Sequence, residues 1–318
     1  MIKNPPIIKK VVEEMGGTIE KIVPERGYFC ININGEKIFV TRKFQIASDF
    51  FSGSSLTAFK DLTYVALKEN SIPTPKSICL YRKNLVSDAL ETQLSSLHYP
   101  LVIKDAKGSN SRGVFTNIQT LEAAKEIILR EIKKFSSLIV QEMVFGKEYR
   151  VLILKSRAIG VLEMIPPRIF GDGKSTVREL IEKKQFGKCD GTKIDQSLYE
   201  ILEEQGAAID VVLEKDQEIF IKKNSCLAEG GETRDVTSLI NPNIERLCAK
   251  AAKAMGKYLV GIDVICEDIS RDPSEQSFSV LEINGKPDLY IHYKPTHGET
   301  RNVIRDIIEF ILALKKDQ

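Results

Sequence analysis

Residues 260–287 read VGIDVICEDISRDPSEQSFSVLEINGKP. Two runs rich in β-branched residues, near 259–267 and 277–284, flank a polar connection and read as strands. In the second run Glu282 and Asn284 stand two residues apart, so a strand turns both side chains to one face. A neighbouring strand would bring Asp263 to the same face. Two carboxylates and an amide oxygen form a hard oxygen site suited to Mg²⁺, or to Mn²⁺ in its place, with phosphate oxygens filling the remaining positions. Val280, Leu281 and Ile283 argue against a solvated surface here. The competing reading is an internal salt bridge, because buried acids need partners.

Upstream, IVQEMVFGKEYRVLIL (139–154) is a strand, a turn at Phe145–Gly146 and a second strand. The backbone of Gln141, Glu142 and Val144 can hydrogen-bond a flat base where two lobes meet, with Glu148 placed for ribose hydroxyls. A buried strand followed by a solvated turn gives the same pattern. Further upstream, Lys104 is followed by Lys107-Gly108-Ser109-Asn110-Ser111-Arg112-Gly113 between two strands. Small residues let backbone N–H groups approach phosphate oxygens, and the basic side chains neutralise them. No GxxxxGK[ST] leads into a helix, so this is not a P-loop. A surface hairpin would look alike.

The rest of the chain supplies alternating elements. A helix over 6–16 stops at Gly16–Gly17, and strands at 18–23, 27–33 and 37–41 follow, the last two joined by the two-residue hairpin signal Asn34–Gly35. A helix at 56–69 ends before IPTP, whose prolines demand extended backbone. Strands at 99–105 and 113–118, a helix at 120–134, and strands at 137–143, 148–155 and 158–165 come next. Residues 166–175 read as a turn. Helices at 176–184 and 195–205, a strand at 217–222 and a Gly-rich loop near 230 follow. Helices at 242–257 and 300–315 bracket the two strands already described. The fold class is mixed α/β (α+β), with mostly antiparallel sheets and flanking helices.

At 318 residues the chain is long enough for two packed lobes, and 42% hydrophobic with 28% charged residues is an ordinary globular composition. The balance of 46 basic and 44 acidic residues gives no electrostatic case for nucleic acid or a membrane surface as partner. No apolar run reaches the length of about 18 residues that a spanning helix needs, and the first residues lack the apolar core of a signal peptide. Six cysteines without a CxxC pair, and only His98, His292 and His297, offer no zinc spacing and suggest reduced thiols in a cytoplasmic protein.

The order and spacing of the three constellations resemble the ATP-grasp superfamily. The closer likeness is to the ATP-grasp part of cyanophycin synthetase, with the glutathione-synthetase half of the bifunctional bacterial glutathione enzymes next. EMIPPRIFGDGKSTVRELIE (163–182), LAEGGETRDVT (227–237), VGIDVICEDI (260–269), EINGKPDLYIH (282–292) and PTHGETRNVI (295–304) carry it. The likeness spans roughly residues 20–310. It implies two lobes clamping ATP: a short N-terminal α/β segment (1–55), a small lobe (56–145) and a large lobe with the metal site (146–318).

By residue, it implies Lys60 and Lys104 on the ATP phosphates under the loop 108–113, and Lys222 as a further charge. Gln141, Glu142 and Val144 would meet adenine, Glu148 ribose, and Asp263, Glu282 and Asn284 Mg²⁺. Lys104, Arg150 and Lys222 would neutralise charge during catalysis. Glu163, Arg168, Gly231 and Arg234 are candidates for the acceptor carboxylate or the amine, an amino acid or short peptide.

The resemblance implies an ATP-dependent carboxylate–amine ligase working through an acyl-phosphate, and relatives of this kind are commonly homodimers. Three departures leave the substrates open. Gln141 stands where the family has glutamate; Cys226 and Glu229 replace an asparagine and a small hydroxyl residue; and Asn284-Gly285-Lys286-Pro287-Asp288 replaces Asn-Ala-Ala-Pro-Gly. Neither the Mur-ligase-like domain of cyanophycin synthetases nor a glutamate–cysteine ligase half is expected here. The alternatives are a glutathione-synthetase-like ligase and a nucleotide-binding regulatory protein without ligase activity.

Overall fold

A computed structural model describes residues 4–23, 28–41, 57–85, 87–108, 113–184 and 194–316. The described residues form two compact units. The first takes those up to Leu162, Asp235–Lys294 and those from Glu299 onward; the second takes Glu163–Arg234 and Pro295–Gly298.

The first unit opens with helix α1 (Asn4–Glu14) and an antiparallel meander, β1 (Thr18–Val23), β2 (Tyr28–Ile33) and β3 (Glu36–Thr41). Asn34 and Gly35 both have positive φ (53° and 84°), as a two-residue turn between β2 and β3 requires. Helix α2 (Lys60–Glu69) follows, and β4 (Ser77–Tyr81) and α3 (Ser87–Ser95) come next. The sequence alone assigns neither of the last two. Neither SICLY nor the polar helix has strong periodicity of its own, and β4 exists because it pairs with β7.

Strands β4, β5 (Leu101–Asp105), β6 (Val114–Ile118) and β7 (Ser137–Glu142) make a four-stranded antiparallel sheet in the order β4-β7-β5-β6. Alternation divides its two faces. Leu80, Leu101, Ile103, Leu138 and Val140 pack against α3 and α4 (Leu121–Glu131). Register puts Val102 opposite Gln141, and Lys104 opposite Ile139 and Val114, on the other face.

A five-stranded sheet runs in the order β12-β9-β8-β13-β14, from β12 (Glu232–Asp235), β9 (Arg157–Ile165), β8 (Lys147–Leu154), β13 (Leu259–Cys266) and β14 (Phe278–Asn284). The loop Met143–Gly146 connects β7 of the first sheet to β8 of the second. One face carries Tyr149, Val151, Ile153, Val260, Ile262, Val264, Val280 and Ile283 against helix α7 (Pro242–Ala254). These residues are almost wholly buried, and truncating one such isoleucine to alanine costs about 2–5 kcal/mol. The opposite face is split. Leu152, Leu154 and Leu259 pack with α1 and helix α8 (Val303–Lys316), while Glu148, Arg150, Asp263 and Glu282 occupy the rest.

A bulge makes that split work. Asp263 pairs with Glu282 but Val264 pairs with Val280, so Leu281 is the extra residue. The parity change sends Val280 into the core and still leaves Glu282 beside Asp263.

The second unit packs helices α5 (Val177–Lys183) and α6 (Gln196–Glu204) on the two-stranded ribbon of β10 (Arg168–Phe170) and β11 (Glu218–Phe220). The stretch 166–175, read as a turn, contains β10, a strand fixed by its pairing with β11. Past it, Asp172 accepts from the N–H groups of Lys174 and Ser175 and from the Ser175 hydroxyl. Gly171 has no room for a side chain, because a Cβ would lie 1.9 Å from the Glu214 carbonyl oxygen. Thr176 and Glu179 then form a capping box on α5. The GDGKST string is therefore the local code that starts this helix. No helix among the described residues is long and apolar enough to cross a membrane.

Candidate functional site

The polar faces of the four-stranded sheet and of strands β8, β13 and β14, all in the first unit, line two adjoining cavities. One, of about 290 Å³, has apolar walls of Val102, Val144, Ile265 and Leu281 at one end and Lys60, Lys104, Asp263 and Glu282 at the other. The second, of about 210 Å³, shares Lys60, Lys104, Gly108, Gln141 and Glu282 and extends to Tyr64, Thr74 and Asn284.

At the charged end, Lys60 opens helix α2, with its N–H bonded to the Ala106 carbonyl at 2.8 Å. Its ammonium lies 3.2 Å from a Glu282 oxygen and also donates to the Gly108 carbonyl. Lys104 projects from β5. Burial, with Lys60 adding repulsion, lowers its pKa to about 8 against the pull of Glu282, Asp263 and Glu148. Lys107 stacks its ammonium 4.8 Å from the Phe59 ring centre. Gly108 and Gly113 border the loop, Gly113 with φ of 68°. Ser109, Asn110, Ser111 and Arg112, expected to cover phosphates, lie outside the described residues.

Across from the lysines, Asp263 is paired in register with Arg150 on one side and Glu282 on the other. Arg150 grips it with two donors: Nε bonds Oδ1, and Nη2 lies 3.0 Å from Oδ2. Asn284 Nδ2 donates to Oδ2 at 3.1 Å. Burial nevertheless raises the Asp263 pKa to about 7, because Glu148 and Glu282 oppose the help from Arg150. Gly261 makes this arrangement fit. A Cβ there would stand 3.2 Å from Arg150 Cδ and 3.1 Å from Pro287 Cβ.

Glu282, Asn284 and Asp263 thus converge as the sequence spacing predicts, and the two acids are at the same time in ion pairs with Lys60 and Arg150. These ion pairs are what the salt-bridge reading of the motif describes. Among the described residues no group of three or more His, Cys, Asp or Glu side chains could hold a metal. A divalent cation here would draw on two carboxylates and an amide oxygen, and would need phosphate oxygens to complete its shell. The hard-oxygen donor set fits Mg²⁺ on that condition.

At the apolar end, Gln141 is 4% exposed. Glu142 is held by His98, whose N–H and Nδ1 both lie 2.9 Å from Oε1. Val144 N–H makes no hydrogen bond among the described residues. Glu148 stands in register with Ile265 on the same face. Tyr64, Thr74, Ser77 and Gly261 belong to the site and were not singled out from sequence; only register and packing bring them there.

A family model described as an ATP-grasp domain matches residues 57–288. The chain belongs to the ATP-grasp family. This ATP-grasp chain is 32% identical over 272 residues to a cyanophycin synthetase of Synechocystis sp., a match covering 81% of this chain and 31% of that protein. It is 26% identical over 296 residues to a glutathione biosynthesis bifunctional protein of Clostridium perfringens, covering 87% and 37%. Among solved structures, a bifunctional glutathione synthetase from Pasteurella multocida matches with a TM-score of 0.70 at 21% identity, over 96% of this chain and 44% of that one. The chain spans about a third of the length of the curated relatives it matches, and the structural likeness bears on the fold.

The remaining candidates belong to the second unit of this ATP-grasp chain. Lys222 is 2.7 Å from Glu229, and Arg234 is 3.1 Å from Glu163. Arg168 donates to Glu218 and to Glu232, the nearest Glu232 contact being 2.9 Å. Glu232 also meets Lys184 at 3.3 Å and His297 at 3.0 Å. Burial opposes its ionisation, but His297, Arg168 and Lys184 outweigh it and lower the pKa to about 2. Gly231 leaves no space for a side chain, with the Ser225 carbonyl oxygen 2.5 Å from where a Cβ would sit.

Proposed function

We propose that this chain binds ATP on the polar faces of its two larger sheets and joins a carboxylate to an amine. The observation that carries the reading is the meeting of two lysines, Lys60 and Lys104, with Asp263, Glu282 and Asn284 beside an apolar slot. A nucleoside triphosphate has matching parts: an anionic tail that needs cations and a flat base that needs apolar walls. Adenine would lie by Gln141, Glu142 and Val144, ribose by Glu148, and the phosphates by Lys60, Lys104, Lys107 and the loop 108–113. These segments, 56–145 and 146–318, would act as the small and large lobes, with 1–55 as a separate N-terminal segment.

In this reading an acceptor carboxylate oxygen attacks the γ-phosphorus and the bond to the β,γ-bridging oxygen breaks, so that ADP leaves with that electron pair. The amine nitrogen then attacks the acyl carbon, phosphate departs, and the nitrogen loses its extra proton to solvent. Lys60 and Lys104 hold the phosphates and offset charge that builds on them. Arg150, extended across Gly261, has its guanidinium at the same end for the acyl-phosphate oxygens. Asp263, Glu282 and Asn284 would hold Mg²⁺ or Mn²⁺, which neutralises phosphate charge when bound.

From the second unit we assign Lys222 to phosphate charge, and Glu163, Arg168, Gly231 and Arg234 to the acceptor or the amine. A substrate anion that meets Arg168 must share it with Glu218 and Glu232. The substrates are an amino acid or a short peptide, in a cytoplasmic, dimeric protein without nucleic-acid or membrane partners.

Phosphate release from Mg-ATP, screened over paired amino acids and short acidic peptides, tests this. Turnover that needs both a carboxylate and an amine supports the ligase. ATP binding without turnover across the screen favours a regulatory nucleotide-binding protein, and no binding at all removes the reading.

A further inference from the structure

Gln141 can face a base in two ways, because its amide carries an acceptor on one side and two donors on the other. Only proton bookkeeping decides which side a ligand meets, since oxygen and nitrogen of an amide are otherwise interchangeable. The neighbours of Gln141 settle the count. Ser77 stands opposite it in register across β4 and β7. The Ser77 hydroxyl donates to the Pro75 carbonyl at 2.7 Å. That carbonyl has no other donor among the described residues, and Ser77 is 9% exposed. A hydroxyl owns one proton, so a Ser77 oxygen that has donated to Pro75 can only accept.

The group that Gln141 turns toward Ser77 must therefore be its NH₂, and Nε2 is indeed 2.8 Å from Ser77 Oγ. Reversing the amide would set two acceptors against each other or strip Pro75 of its donor inside a buried site, and both are costly. Gln141 Oε1 is left over. It takes no hydrogen bond from the described residues, and Gln141 borders both cavities. The adjacent acid offers no substitute, because alternation along β7 sets Glu142 opposite Leu101 on the other face, where its Oε1 meets His98.

We propose that Ser77, which itself need touch no ligand, is a specificity-determining positioning residue: by fixing the Gln141 amide it makes this site select a 6-aminopurine over a 6-oxopurine nucleotide. A 6-amino group donates to the exposed Oε1. A 6-oxo group would bring oxygen to oxygen and leave both unpaired, and a site with a buried unpaired polar group rejects the wrong ligand strongly. The inference rests on the nucleotide reading above and adds to it the element that reads the base.

The test compares Mg-ATP with Mg-ITP, which differ at the 6-position and its neighbouring ring nitrogen and share sugar and phosphates. Dissociation constants are measured for wild type, Ser77→Ala, Ser77→Thr and the pair Ser77→Ala with Gln141→Glu, each checked for a cooperative melt. Wild type is expected to prefer ATP. Ser77→Ala frees the amide to rotate and should shrink the ATP:ITP preference about tenfold, chiefly by tighter ITP binding. Ser77→Thr keeps the hydroxyl and should keep the preference. The double variant should regain it, because a carboxylate can only accept. A merely structural role for Ser77 would weaken both nucleotides alike. An unchanged ratio in Ser77→Ala, or a wild type that binds ATP and ITP equally, overturns the proposal and leaves the nucleotide site standing. A wild type that binds neither removes both.

Discussion

Each unit contains a cluster of close-set charges, and the two clusters are built to opposite ends. In the second unit Glu232 is surrounded by Arg168, Lys184 and His297, and its pKa falls to about 2. Every charge there is matched by a neighbour, as in a framework. In the first unit burial drives Lys104 down to about 8 and Asp263 up to about 7. Both groups are pushed away from their ionised forms. Dense ionic packing alone does not mark a functional site. Charges held against their preference do, because a ligand of complementary charge relieves them.

The comparison breaks first at Asp263. Asp263→Asn should lower phosphate release about a thousandfold, in line with losing a preorganised electrostatic group, while a cooperative melt shows that the protein still folds. Near-normal turnover would mean that the strained cluster is not the reactive one.

The second unit should respond in stability. Glu232→Gln leaves Arg168 and Lys184 short of a partner in a partly buried network, so a loss of about 2–3 kcal/mol is expected. The Glu232 pKa is depressed in the folded state. Its contribution is therefore present above the unfolded carboxylate pKa of about 4.5 and fades as pH falls toward about 2. Chemical denaturation at pH 7 and pH 3 should show the variant closing the gap to wild type at the lower pH. An equal gap at both would contradict the pairing.

An effect confined to acid pH belongs to His292, which is buried with no hydrogen-bond partner for either ring nitrogen among the described residues. Gly160 makes room for it, since a Cβ there would lie 2.6 Å from Nδ1. Burial, with Arg150 nearby, lowers its pKa to about 3, so the folded state holds it neutral while the unfolded chain protonates it below about 6.5. Stability tied to this residue is lost as pH falls from about 6.5 toward 3, at up to about 1.4 kcal/mol per pH unit. His292→Leu should flatten that decline in denaturant titrations between pH 6 and 4; an unchanged slope would show that the ring is not held neutral.

Much of this architecture could be read from local signals. The Asn34–Gly35 turn, the strand pair around Asp263 and Glu282, and the helix started by Thr176 each depend on residues close in sequence. Strand β10 within 168–170 and strand β4 within 77–81 do not, since each is defined by the strand it pairs with. The grip of Arg150 on Asp263 was hidden for the same reason: 113 positions separate the two, and only the β8–β13 register joins them. The divisions after Leu162 and Arg234 fall inside strands β9 and β12, where no change of composition marks them.

The most direct test of the strained cluster is a calorimetric titration of Mg-ATP at pH 8.5, run in two buffers of different ionisation enthalpy. Lys104 has a depressed pKa, so a fraction is neutral at this pH, and phosphate should draw a proton back onto it. Binding should be accompanied by proton uptake in wild type, with both affinity and uptake reduced in Lys104→Met. Absence of binding, or the same affinity and proton balance in the variant, would contradict it.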